Sequence, residues 1–302
     1  MRNRSQTVKL GAESSSCRSA LLFSLFINSL PAALKCEYHL YADDLQIYIS
    51  GPIDDVDRLV NTINEDLNSI ERWAIENNLF PNPKKTQAIV FCKAGRVTPG
   101  IDIEFCGEAI AVRDKVVNLG LLMDYNLKWT EQTNEATMKA YNVLRIFRRF
   151  TPVLSHQVRL KLVQAVVVPT FTYCDVVYYP GLSAELRDRL HRCFKSAIRF
   201  VFKMNRFDTT AAVRNSILGH DLPDNYRHRI CCFFRQAWDG TLPQYILQHL
   251  QRGQMERTKT YLLPAHSTSL LIYGISHWNG LPTEIKTKPA LTSFKQALKS
   301  LH

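Results

Sequence analysis

The apolar period of this chain changes near residue 124, and that change restricts it to a mixed first part and a helical remainder. Before it, short runs alternate apolar and polar residues at strand period around one long helix. After it, apolar residues recur every three or four positions over 130–150, 155–173 and 183–204, with little strand signal. Pro152 and Pro180-Gly181 separate these three helices. The expected class is α+β. At 302 residues and 46% hydrophobic content, the chain can bury a core as two or three units. No apolar run is read as long enough to span a membrane.

In the first part, HLYADDLQIY (39–48) places two adjacent acids between alternating runs. Tyr38, Leu40 and Ala42 alternate with His39 and Tyr41, and Leu45, Ile47 and Ile49 alternate with Gln46, Tyr48 and Ser50. The pattern predicts a β-hairpin reversing at Asp43-Asp44, because short acidic side chains tolerate turn geometry. Such a pair is either a solvated turn or half of a site for a hard cation such as Mg²⁺, which chooses carboxylate oxygens. Val56, Leu59, Val60, Ile63, Leu67, Ile70 and Trp73 then give an amphipathic helix, with Asp54, Asp55 and Asp57 at its start and Pro81 and Pro83 beyond its end. TQAIVFC (86–92) reads as a strand, IDIEFCGEAIAV (101–112) as a hairpin around Gly107-Glu108, and KVVNLGLLM (115–123) as a further strand or tight turn.

ALLFSLFINSLPAAL (20–34) follows basic residues and ends in small ones, as a signal peptide does. Asn28, Ser29 and Pro31 interrupt it, and it leads straight into the hairpin, so secretion is not expected. Eight cysteines include no C-x-x-C pair, which points to free thiols in a reducing, intracellular compartment. The formal charge is +11, and nearly all of it is local. Thirteen Lys or Arg between Lys139 and Arg206 face three acids, an excess of +10. In the helix over 183–204, Leu186, Leu190, Phe194, Ala197 and Val201 share one face, and Arg192, Lys195, Arg199 and Lys203 lie opposite. That basic face is a candidate contact for nucleic-acid backbone phosphates.

The chain resembles the reverse transcriptases of LINE-type, non-LTR retrotransposons, particularly Jockey-like ones. Tyr41-Ala42-Asp43-Asp44 is similar to their Y-x-D-D box, and LLFSLFINSLP (21–31) to the segment before it. NPKKTQAIVF (82–91) resembles the asparagine-proline-x-lysine-threonine motif, and VVNLGLLMDYNLKW (116–129) the primer-grip segment. KAYNVLRIFRR (139–149) and VVVPTFTYCDVVYY (166–179) look like the helical thumb, and HWNGLPTEIKTKPALTSFKQALK (277–299) like the region after the polymerase domain. The resemblance implies a partial palm (hairpin, helix, small antiparallel sheet) over 1–129, a basic helical thumb over 130–206, and a C-terminal extension over 207–302. It implies metal-dependent nucleotidyl transfer on an RNA template and DNA primer, with Mg²⁺ or Mn²⁺ held by Asp43 and Asp44. Lys85 would give a proton to pyrophosphate, while Tyr41, Leu119 and Gly120 would meet the primer.

Two parts of the family pattern are missing. The upstream aspartate motif has no counterpart, since the acids before Asp43 are Glu13 and Glu37. Glu37 lies roughly 20 Å along the same strand, too far to share a metal pair. Where the glycine-rich Pro-Gln-Gly segment should follow NRSQTVKLG (3–11), the chain reads AESSSCRSALLF. The expectation is an N-terminally truncated, internally deleted palm that holds metal weakly and is catalytically incomplete alone. The missing carboxylate would come from a complementing polymerase subunit in trans. The alternative is a non-catalytic nucleic-acid-binding remnant, or a domesticated binding protein.

Overall fold

The computed structural model describes residues 17–92, 100–250, 259–262 and 269–301. Glu13 and the NRSQTVKLG strand lie outside the described residues. The chain divides into two compact units, Met1–Val116 and Val117–His302. The boundaries expected after 129 and 206 are not where these units divide. Residues 117–129 go with the helices that follow them, and residues 207–302 share a core with 130–206.

In the first unit, α1 (Cys17–Ile27) and a 3₁₀ turn (Leu30–Ala33) lead into β1 (Glu37–Tyr41) and β2 (Asp44–Tyr48). The signal-like stretch is therefore a helix and turn, and it seats Ile27 and Leu30 in the unit's core. The strands pair antiparallel with Leu40 opposite Leu45 and Tyr38 opposite Ile47. Leu40, Leu45 and Ile47 pack on the core from one face of the pleat. On the other face His39 stacks on Tyr48 at 5.0 Å between ring centroids. Next comes α2 (Val56–Glu76), which buries Leu67, Ile70 and Ala74. It ends where Asn78 takes a left-handed conformation (φ 55°) and Leu79 N–H returns to Ala74 O at 2.8 Å.

Two expectations change in the rest of this unit. The reversal between β3 (Glu104–Phe105) and β4 (Glu108–Ala109) lies at Cys106-Gly107, one residue earlier than expected, because Phe105 pairs with Glu108. Cys106 (φ 52°) and Gly107 (φ 73°) both take the positive φ that a two-residue hairpin turn requires. TQAIVFC forms no strand over its described residues. Only Ala88 bridges, in parallel to Val112, and Arg113 N–H donates to Ala88 O at 2.8 Å. A strand needs a partner along its length, and no described segment runs beside it. The expected small sheet is accordingly a set of separate two-stranded ladders among the described residues.

The hairpin of β5 (Lys115–Asn118) and β6 (Leu121–Asp124) carries the chain across the division and turns at Leu119 (φ 45°) and Gly120 (φ 80°). The described residues of the second unit are mainly helical from there on. α3 (Thr130–Arg149) is followed by α4 (His156–Leu162), a π turn (Val163–Val167) and α5 (Val168–Thr172) in one continuous run. The π turn has a cause in the sequence. Pro169 lacks an N–H and its ring would clash with the carbonyl of Ala165, so the helix widens just before it. Cys174 (φ 53°) breaks the run before α6 (Asp175–Tyr178).

Contrary to the sequence reading, the stretch His156–Gly181 is long and apolar enough to cross a membrane by length and composition. Here it supplies the core with Val163, Val167, Phe171 and Tyr178. α7 (Ala184–Phe202) then buries Leu186, Leu190, Phe194, Ala197 and Val201, the face read from the sequence.

The last third is more regular than expected. α8 (Leu222–Trp238) is followed by α9 (Gln244–Leu247), α10 (Ser269–Asn279), α11 (Thr283–Lys286) and α12 (Leu291–Lys299). α8 buries Tyr226, Ile230 and Phe234 at a spacing of four, which is helix period. Gly274 admits α10 against α8, since a Cβ there would collide with the Phe234 ring. Trp278, Phe294 and Leu298 join Leu144, Leu190 and Phe194 in one continuous core.

The first unit's core is small, and its ladders leave strand edges unpaired among the described residues. Limited proteolysis is expected to cut before Val116 while the segment 130–250 survives. First cleavage within 130–206 would contradict this.

Candidate functional site

The register that sets Tyr41 opposite Asp44 makes the reversal a two-residue turn, Ala42-Asp43. Ala42 sits at φ 52°. A left-handed conformation costs a residue with a Cβ roughly 1–2 kcal/mol, so the turn stores strain beside the two acids. Asp43 is in the turn and Asp44 opens β2, so the reversal lies one residue earlier than the one expected at Asp43-Asp44. Tyr41, Asp43 and Asp44 are all exposed, Tyr41 by 67%. Lys85 is exposed on a 3₁₀ turn (Pro83–Lys85) that Asn82 caps by accepting from Lys84 N–H at 3.1 Å. The fold thus brings Tyr41 and the two acids together. No described hydrogen bond or ion pair joins Lys85 to them.

A two-ion site needs more oxygen donors than one turn supplies. Among the described residues no group of three or more His, Cys, Asp or Glu side chains gathers to hold a metal. Glu37 pairs with Tyr48 at the end of the hairpin away from Asp44. The described residues therefore do not make up a complete metal centre.

In the second unit, Leu119 and Gly120 form the tip of the β5–β6 hairpin. Tyr173 Oη donates to Leu119 O, and its ring lies where a Cβ on Gly120 would touch it. The turn's backbone is held from one side by the residue that ends α5, and the Leu119 side chain is exposed.

The four cations expected on α7 converge. Arg192, Lys195, Arg199 and Lys203 all line an open groove of about 1060 Å³. Arg148, Thr151 and Pro152, at and beyond the end of α3, line it too, as do Met204 and Arg206 after α7. The groove lining holds six cations and no acid. α3 and α7 run in the same direction, since Asn134 meets Arg189 near their starts and Arg148 Nη2 donates to Ser196 Oγ at 2.6 Å nearer their ends. Arg148, Arg199 and Lys203 stand in or just after the last turns of the two helices, where the helix dipole favours positive charge, while Arg192 and Lys195 lie further back along α7. Arg199 Nη2 donates to Asp208 O at 3.2 Å, and its Nε is buried with no hydrogen-bond partner among the described residues. Tyr141 also lines the groove, and burial raises its phenol pKa while Arg192 and Arg148 oppose the rise.

Residues 2–134 match the family model of reverse transcriptase (RNA-dependent DNA polymerase). No curated protein and no solved structure matches the chain. The matched segment contains the acidic turn, Lys85 and the Leu119-Gly120 turn, and it stops inside α3. The basic groove lies beyond it.

Two charged residues of the 139–206 region are structural instead. Arg159 is buried, and its Nε donates to Val201 O at 2.9 Å. Asp175 is buried beside Arg229, Oδ1 to Nε 2.9 Å, and burial pushes its carboxyl up to about 6. The sequence reading missed Arg148, Arg206 and Tyr141 as groove residues, because helix period within α7 says nothing about what α3 brings beside it.

Asp66 was also missed, within the segment that matches the family model. Although charged, it is 1% exposed. Its carboxylate accepts Lys35 N–H at 2.9 and 3.0 Å and Cys36 N–H at 2.7 Å, which ties α2 to the entrance of β1. Burial, together with Asp66, drives the Cys36 thiol up to about 12 and leaves it inert. Asn64, also on α2, grips β3 in a similar way. It donates to Asp102 O at 3.0 Å and accepts from Glu104 N–H at 3.1 Å. A signal for Asp66 was present, since it falls three residues after Ile63 and four before Ile70, inside the apolar stripe.

Asp66→Ala is expected to destabilise the first unit by about 3 kcal/mol, because two backbone N–H donors lose a charged acceptor. Asp66→Asn should cost less, since one carbonyl oxygen still accepts. Urea-dependent amide hydrogen exchange of peptides from residues 17–92 reads both. An alanine variant within about 0.5 kcal/mol of the parent would remove this role.

Proposed function

We propose that this chain is a nucleic-acid-binding piece of a LINE-type, Jockey-like reverse transcriptase. In it the helical unit grips backbone phosphates, and the Asp43-Asp44 turn alone does not complete a catalytic centre. One observation carries the reading. Six cations from α3, α7 and the loops after them line one groove that contains no acid. A surface that merely needs solvation intersperses both signs, whereas one that neutralises phosphates concentrates one sign. The LINE-type assignment rests on the resemblance of the segments at 21–31, 82–91, 116–129, 139–149, 166–179 and 277–299.

A second reading keeps RNA-directed DNA polymerase activity. It is favoured by the family match over 2–134 and by the strained, exposed turn that presents two carboxylates. On that reading Mg²⁺ or Mn²⁺ binds at Asp43 and Asp44 with a third carboxylate from outside the described residues, for example from a second polymerase subunit. The chain's own residues would then hold metal (Asp43, Asp44), place the primer (Tyr41, Leu119-Gly120) and supply a cation near the leaving group (Lys85).

Binding of a labelled primed template should weaken steeply as salt rises. Replacing Arg192, Lys195, Arg199 and Lys203 by Gln should flatten the slope of log K against log[salt] by about 3 units. An unchanged slope would leave those side chains as solvated surface and refute the groove.

A further inference from the structure

We propose that the groove takes single-stranded nucleic acid and that Phe207 is a stacking platform for an unpaired base. The inference rests on reading the groove as a phosphate site and adds what lies at its rim. Phe207 follows the groove-lining Arg206 and is 93% exposed, more than any other large apolar side chain described. Its backbone is ordered by a closed turn. Asp208 N–H donates to Asn205 O at 3.2 Å, Asn205 N–H donates to Asp208 Oδ2 at 2.6 Å, and Arg199 holds Asp208 O. Met204 N–H returns to Arg199 O at 2.9 Å, which anchors the turn to the end of α7. Arg206 and Phe207 are therefore the two central residues of a tight turn, set side by side as a cation and an aromatic ring.

The loop after α3 repeats the arrangement. Thr151 and Pro152 line the groove, and the residues on either side of them, Phe150 and Val153, are 53% and 81% exposed. Val153 N–H donates to Phe150 O at 3.1 Å, so this loop is also a closed turn. Both rim loops thus hold apolar groups in water beside lining residues.

A duplex hides its base faces and offers such a rim only phosphate and sugar. A single strand offers phosphates to the cations and unpaired faces to the ring, and base stacking on an aromatic side chain is tolerant of sequence. The geometry fits the second ligand. Arg148, Arg192, Lys195, Arg199, Lys203 and Arg206 would follow the backbone, and Phe207 would receive a base.

The test uses the full chain and fluorescence anisotropy with three probes: oligothymidylate, a strand of the same length whose sites are abasic, and a duplex. Phe207→Ala is expected to weaken oligothymidylate about 10-fold, to leave the abasic strand and the duplex unchanged, and to be rescued by Phe207→Trp. Since Phe207 is solvent-exposed, unfolding temperature should not move. An alanine variant that binds oligothymidylate as the parent does, or that weakens all three probes alike, overturns the proposal. Failure of the groove itself reads differently, because the double variant Arg192→Gln, Lys195→Gln would then leave all three probes unaffected.

Discussion

The close packing of α3 on α7 is the contact on which the helical unit depends. Ala140, Leu144, Leu190, Cys193, Phe194 and Ala197 are all essentially without solvent exposure. Cys193 Sγ approaches Thr137 O at 3.7 Å, which shows how near one helix comes to the other's backbone. Small residues permit that approach, and the parallel direction then brings both C-terminal ends to the same place. The cations of α7 would be a stripe on an isolated helix. Against α3 they become one wall of a groove whose other wall carries Arg148, Thr151 and Pro152. The charge pattern and the core pattern of α7 are thus two consequences of one amphipathic helix.

The first unit is organised by hydrogen bonds more than by bulk. Its buried cluster is modest, and two polar residues of α2 hold the neighbouring chain directly, Asp66 at the entrance of β1 and Asn64 along β3. Trp73 adds a third tie by donating Nε1–H to Ser29 Oγ at 3.1 Å. α2 therefore supports the hairpin that ends in the strained Ala42-Asp43 turn. The acids stand exposed at its tip because every apolar side chain of the hairpin's buried face lies further back.

Much of this was legible from residue spacing. The hairpin at 37–48, the helix at 56–76, the three helices between 130 and 202 and the two faces of α7 follow from period alone. What spacing misses is pairing and long-range partnership. The strand expected at 86–92 has β-forming residues but only one bridge, since a strand is made by its neighbour. The turn at Cys106-Gly107 was displaced by one because register, not composition, chooses which residues reverse. α8 was overlooked because Arg227, His228, Arg229 and Arg235 crowd its sequence, although Tyr226, Ile230 and Phe234 recur at helix spacing. At the site, the acids and the α7 cations were legible, but the groove was not, because Arg148 and Arg206 come from segments that only the packed fold places beside α7.

On the proposed function, this chain binds nucleic acid through its helical unit without completing a catalytic centre at Asp43 and Asp44. Primer extension tests it most directly. The 302-residue chain and its Asp43→Ala variant are each given a primed RNA template with Mg²⁺ and, separately, with Mn²⁺. Both proteins are expected to bind the primed template with equal affinity, and neither is expected to extend the primer. Extension by the parent that is lost in Asp43→Ala would contradict it, and would show that a further metal ligand reaches the turn from outside the described residues.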